Sequence, residues 1–133
     1  MRRVILFSLV ALAALAAGAY ALAGSPSQGM RAFALVDPNG GSPRLIDAHT
    51  NGFVGVSQGV VGPGDYCLTP GPGVDVVSTA AVASAEAFYS TVLGEADVRY
   101  PTAGKTCGAD QLEVKTFDKL TLSDQIGFTV IVP

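Results

Sequence analysis

The chain has no tryptophan, one histidine (His49) and only two cysteines, Cys67 and Cys107. Each scarcity removes a class of function. Sugar-binding platforms rely on exposed Trp or Tyr, and beyond the first 23 residues only Tyr66, Tyr89 and Tyr100 remain, with five phenylalanines whose expected place is the core. A structural zinc site needs about four Cys/His ligands at characteristic spacing. Here there is no C-x-x-C, and His49 stands alone. No D-x-[DN]-x-[DN]-G loop is present, and neither Asn39 nor Asn51 begins an N-x-[ST] sequon. Positive charge is scarce as well, with eight Lys/Arg against eleven Asp/Glu and no basic stripe. That balance excludes nucleic acid and an anionic membrane surface as partners. No cofactor and no metal are expected.

Met1-Arg2-Arg3 is followed by an apolar run from Val4 to Ala23. A positive n-region, an apolar h-region and Ala21 and Ala23 at −3 and −1 of a cut before Gly24 predict a signal-peptide helix over residues 1–23. The same run is long enough to serve as an uncleaved anchor. Its alanine-rich end and the helix-breaking lead Gly24-Ser25-Pro26-Ser27-Gln28-Gly29 favour cleavage. A membrane association is expected only if the leader stays. The expected location is secreted or cell-surface. The chain after Ala23 holds six Lys/Arg against eleven Asp/Glu, a net charge of −5. In an oxidising setting an even pair of cysteines predicts a disulfide, Cys67 to Cys107.

From Met30 to Pro133 the sequence alternates in short apolar runs broken by Gly, Pro, Asn and Asp, the pattern of an all-β domain. Strands are expected at Arg31–Val36, with Phe33 and Leu35 on one face, and at Leu45–His49 as the return arm of a turn at Asp37-Pro38-Asn39-Gly40-Gly41. Further strands are expected at Gly52–Val61, Asp65–Thr69, Val74–Ser78, Leu112–Phe117 and Ile126–Val132, the last with Ile126, Phe128, Val130 and Val132 on one face. The stretch Ser78–Leu93 fits a helix by its alanines and a strand by its Thr, Ser and aromatic content. The β reading is preferred.

Gly55-Val56-Ser57-Gln58-Gly59 has the G-x-S-x-G form of a nucleophile elbow, and Asp47 and His49 lie nearby in sequence. The elbow requires a helix after the serine. Gln58-Gly59-Val60-Val61-Gly62-Pro63-Gly64 cannot supply one. Asp47 and His49, two apart on an expected strand, would share a face, but no oxyanion-hole loop accompanies them. A small secreted serine hydrolase is therefore disfavoured, and no catalytic residue is assigned. Asp37, Asn39, Asp47, Asp65 and Asp75 offer oxygen ligands near loops, which keeps a calcium- or small-ligand-binding module as an alternative. Aspartates scattered in this way, Asp110 and Asp124 included, more often end strands and cap turns.

Tyr66-Cys67, then Cys107, Val114-Lys115-Thr116-Phe117-Asp118 and Phe128-Thr129-Val130-Ile131-Val132-Pro133 resemble the tail of small secreted bacterial β-domain proteins of uncharacterised function. Those carry a Y-C strand, a second cysteine, a "VRTFD"-like strand and an F-x-V-x-V terminal strand. The resemblance covers Tyr66 to Pro133, implies a β-sandwich with one disulfide, and implies no activity. The sequence thus predicts a single antiparallel β-sandwich over residues 30–133 with one disulfide. Its expected role is that of an exported, non-catalytic binding or structural domain with a protein or cell-surface partner. On this reading a fluorophosphonate probe leaves the protein unlabelled. Labelling that disappears in Ser57→Ala would restore the hydrolase.

Overall fold

The computed structural model describes residues 31–99 and 106–133. The expected leader (1–23), its cut at Ala21, Ala23 and Gly24, and the lead (24–29) lie outside the described residues. Among the described residues nine strands follow in order: β1 (Ala32–Asp37), β2 (Arg44–Leu45), β3 (Phe53–Gln58), β4 (Asp65–Pro70), β5 (Val82–Glu86), β6 (Glu95–Arg99), β7 (Leu112–Asp118), β8 (Thr121–Leu122) and β9 (Gly127–Val132). All pairings are antiparallel. The first sheet runs β2-β1-β9-β5. The second runs β3-β4-β7-β6, with β8 alongside β7. The two pack face to face as a sandwich, and the Cys67–Cys107 disulfide is formed.

The core forms because the inward faces of both sheets carry apolar side chains at every second position. β9 supplies Phe128, Val130 and Val132, all fully buried, and Ile126 is buried just ahead of the strand. β4 and β7 answer with Tyr66, Leu68, Leu112 and Val114. Tyr66 and Phe128 meet across the gap with ring centroids 5.2 Å apart and planes tilted by 44°, a favourable aromatic geometry. Burial pushes the Tyr66 phenol up to about 12; the neighbouring Thr116 hydroxyl pulls it down and the Asp124 charge pushes it further up.

Four local features differ from the sequence reading, each for a physical reason. The return arm of the first hairpin stops at Leu45 instead of His49, and Asp47–His49 is a 3-10 turn. Ile46 N–H still bonds Leu35 O at 2.9 Å, after which His49 N–H turns back to Ile46 O at 2.8 Å. Asp47 and His49 therefore do not share a strand face. Val74–Ser78 is not a strand, because Asp75 Oδ1 accepts the Val77 and Ser78 N–H groups at 2.9 and 3.0 Å and replaces a ladder with an aspartate-capped turn. Within Ser78–Leu93 the β reading holds for Val82–Glu86, followed by turns rather than helix. Finally, β6 is not among the expected strands: Glu95-Ala96-Asp97-Val98-Arg99 alternates strictly, but its apolar face is only Ala96 and Val98.

The first turn behaves as its chemistry requires. Asn39, Gly40 and Gly41 all have positive φ. Asp37 accepts the Asn39 N–H at 3.0 Å and pairs across the hairpin with Arg44 at 2.7 and 2.9 Å. The tightest of the positive-φ glycines is Gly64, with φ +78°, where a Cβ would stand 2.4 Å from Ser123 N and 2.8 Å from Thr116 O. Gly62 also has positive φ, +107°, but open space around it. Both positions carry the left-handed strain of about 1–2 kcal/mol for a non-glycine residue. Gly64→Ala adds a clash with backbone that cannot rotate away. Chemical denaturation should place Gly64→Ala at least about 1 kcal/mol below Gly62→Ala; equal midpoints would mean that the β7–β8 hairpin yields freely.

Candidate functional site

Because side chains alternate along a strand, the residues between the core positions of the first sheet point outward. In β1 the inward residues are the small Ala32 and Ala34, while Phe33 and Leu35 face out. Register places Phe33 beside Ile131 and Ile131 beside Val82, and places Leu35 beside Thr129 and Thr129 beside Ser84. The first row thus leaves an apolar strip on the outer face, on which Ile131 is 42% and Val82 64% exposed, and the second row adds Leu35 beside two hydroxyl side chains. Phe33 and Leu35 do share a face, as the alternation predicts, but it is the solvent face. The expectation that the phenylalanines serve the core fails for Phe33 and Phe88 and holds for Phe53 and Phe128.

A groove of about 700 Å³ crosses one end of this face. Phe33, Leu35 and Thr129 form its floor, with Phe88, Tyr89, His49 and Glu86 around it. Phe88 and Tyr89 pack edge to face, centroids 5.0 Å apart, and Phe88 is 83% exposed. Their position has two anchors. Glu86 Oε2 accepts the Phe88 N–H at 2.9 Å, and Ser90 Oγ accepts the Gly127 N–H at 3.0 Å. Gly127 is required beneath them, since a Cβ there would stand 2.5 Å from Tyr89 Cβ. His49 reaches the groove because the 3-10 turn lifts it over β1, where Phe33 and Asn51 exchange backbone hydrogen bonds at 2.8 Å.

The hydrolase constellation does not assemble. His49 belongs to the outer face of the first sheet, whereas Ser57 is exposed on β3 and points away from the core on the second. Among the described residues the calcium candidates form no common carboxylate cluster, although Asp37, Asn39 and Asp124 line one pocket. Asp37 is held by Arg44 and Asp75 caps its own turn. Asp47 starts the 3-10 turn, and Asp110 and Asp124 lie in turns, as expected.

The one group of potential metal-ligating side chains among the described residues is Asp65, Cys107 and Glu113, whose donor atoms lie within 4.8 Å of one another. It sits on the outer face of the second sheet, where Asp65 pairs with Lys115 and Cys67 with Glu113 across the β4–β7 ladder. Both carboxylates are fully buried. Thr106 covers them: its N–H donates to Glu113 Oε2 at 2.7 Å and its hydroxyl to Asp65 Oδ2 at 2.7 Å. Lys115 Nζ forms an ion pair with Glu113 Oε1 at 3.2 Å, and Asp65 Oδ1 has no hydrogen-bond partner among the described residues. Apolar periodicity overlooks this cluster. The only signal for it is that Asp65, two residues before Cys67 on one strand, shares its face.

Burial pushes the Glu113 carboxyl up, but the Thr106 N–H, the Lys115 ammonium and the Cys107 N–H together outweigh it and hold the group below its ordinary value. A folded value below the unfolded one stabilises the fold fully above the unfolded value, roughly 4.3. That contribution is lost as pH falls through the folded value. Glu113→Gln should therefore flatten the acid limb of stability against pH, while costing about 1–3 kcal/mol near neutrality. Denaturant midpoints measured down the acid range check this, and an unchanged acid limb would deny Glu113 the role.

Comparisons of the chain with protein-family models, with curated proteins and with solved structures return no match.

Proposed function

We propose that this is an exported, non-catalytic β-domain that binds a protein partner through the outer face of its first sheet. The observation that carries the reading is Phe88, 83% exposed at the rim of an aromatic groove. Solvent-facing sheet positions ordinarily carry polar side chains, and a contiguous apolar patch rimmed by polar groups marks an interaction site. Phe33, Leu35, Ile131 and Val82 form the apolar centre, and His49, Glu86 and Tyr89 the polar rim. Rigid aromatics at the centre of a contact carry most binding energy at little entropic cost.

The net charge of −5 beyond Ala23 and the Glu86 carboxylate in the groove favour a partner with an apolar centre and a basic rim. Export rests on the leader and on the disulfide, which suits an oxidising setting. That neither the serine nor the calcium constellation converges among the described residues supports the binding reading over both alternatives.

Replacing Phe88 by p-benzoylphenylalanine in the producing cells and irradiating should give one discrete protein adduct, lost when Phe33→Ser is added. The same probe at Leu120, 92% exposed on the β7–β8 turn, should give none. Unadducted protein recovered from the medium should begin at Gly24. No adduct at position 88, or the same adducts from both positions, would remove the binding face from consideration.

A further inference from the structure

We propose that Cys67, Cys107, Asp65 and Glu113 form a four-ligand site for a zinc-class divalent cation whenever the Cys67–Cys107 bond is reduced. By sequence the two cysteines have no metal partners; the fold supplies them as two carboxylates from β4 and β7. Donor atoms of Asp65, Cys107 and Glu113 lie within 4.8 Å of one another, and Cys67 Sγ is bonded to Cys107 Sγ. Ligands of one tetrahedral zinc ion stand about 3.3–3.8 Å apart, as follows from bonds of roughly 2.0–2.3 Å. Closure on an ion thus requires movements on the order of 1 Å for those three ligands, and Cys67, which lies outside that group, must swing in once the bond opens.

Two further observations point to a cation. Asp65 Oδ1 is buried with no hydrogen-bond partner among the described residues, on a residue with no exposed surface, and Glu113 Oε1 has only the Lys115 ammonium, at 3.2 Å. Such acceptors are expensive to leave unsatisfied. The outer contacts that orient metal-bound carboxylates are also in place, since Asp65 Oδ2 accepts the Thr106 hydroxyl at 2.7 Å and the Val61 N–H at 3.3 Å, while Glu113 Oε2 accepts the Thr106 N–H.

The chemistry balances. A dithiol gives two electrons and two protons to the Cys67–Cys107 bond and leaves as its own disulfide, and both protein sulfurs become thiols. Zinc then displaces the two thiol protons. In the oxidised state the two carboxylates exceed the Lys115 ammonium by one negative charge. In the metal-bound state the ion offsets the two new thiolates and the same excess remains, so the buried cluster exchanges a covalent tie for an ionic one at constant charge. Two sulfurs and two carboxylate oxygens suit a borderline-soft, four-coordinate ion. They do not suit calcium, which takes six to eight oxygens. Cys107 stays near when the bond opens, because Thr106 is held by both carboxylates and Gln111 Nε2 donates to Thr69 Oγ1 at 3.0 Å. The site lies on the second sheet, opposite the apolar face, and stands or falls independently of it.

The test is a cobalt(II) and zinc(II) titration of the whole protein, reduced with a phosphine under anaerobic conditions, beside the oxidised protein. The reduced form should take one cobalt ion with intense tetrahedral d–d bands and sulfur-to-cobalt charge transfer, bleached by zinc; the oxidised form should take none. Asp65→Asn and Glu113→Gln should each weaken zinc at least tenfold, read by competition with a chromophoric chelator. If reduction alone unfolds the chain, zinc should restore the β circular dichroism of the wild type and fail to do so for Cys107→Ser. No tetrahedral cobalt spectrum, equal uptake by the oxidised form, affinity unchanged in both carboxylate variants, or a reduced chain that stays unfolded with zinc would each overturn the site.

Discussion

Everything in the first sheet depends on one constraint, that a strand cannot choose the face of one residue without choosing the face of its neighbours. β9 commits Phe128, Val130 and Val132 to the core, so Thr129 and Ile131 must point out. β1 pairs with β9 in a register that commits Ala32, Ala34 and Val36 inward, so Phe33 and Leu35 must follow Ile131 and Thr129 outward. The two largest apolar side chains of β1 thereby lie half-buried on the outer face. The close approach of Gly52 to Ala32, where a Cβ would come within 2.6 Å, shows how little room remains on the inner side. The apolar outer face is thus tied to the same pairing that builds the core.

That constraint also explains what was legible in the sequence. The strands with one clear phase, such as Phe128-Thr129-Val130, read correctly in position and face. β1, with apolar residues in both phases, gives its face membership but not its direction, which only the register with β9 decides. The tight turn at Asn39-Gly40 was legible because its chemistry is local. Val74–Ser78 misleads for a related reason: valines suggest a strand, while Asp75 captures the backbone donors a strand would need.

The cysteine pairing expected from an even count forms. What lies beneath it was not legible, because nothing in the spacing of Asp65 and Glu113 reveals that the β4–β7 register brings them together. The two outer faces are therefore opposites. The first sheet presents apolar groups to water, while the second hides carboxylates from it under Thr106 and the disulfide.

The register of β1 on β9 has a mechanical consequence. Ala32 lies opposite Val132, so the chain enters and leaves the first sheet at the same end of neighbouring antiparallel strands. A pull between residues 31 and 133 would load the Arg31 N–H to Val132 O bond first and then each rung in turn, opening the pair like a zipper rather than shearing all rungs at once. β4 and the Cys107 loop would resist longer, because the disulfide removes the 40-residue separation between Cys67 and Cys107 from the extensible length. Tension across both ends would thus peel away the apolar face first and leave the disulfide-tied segment for last.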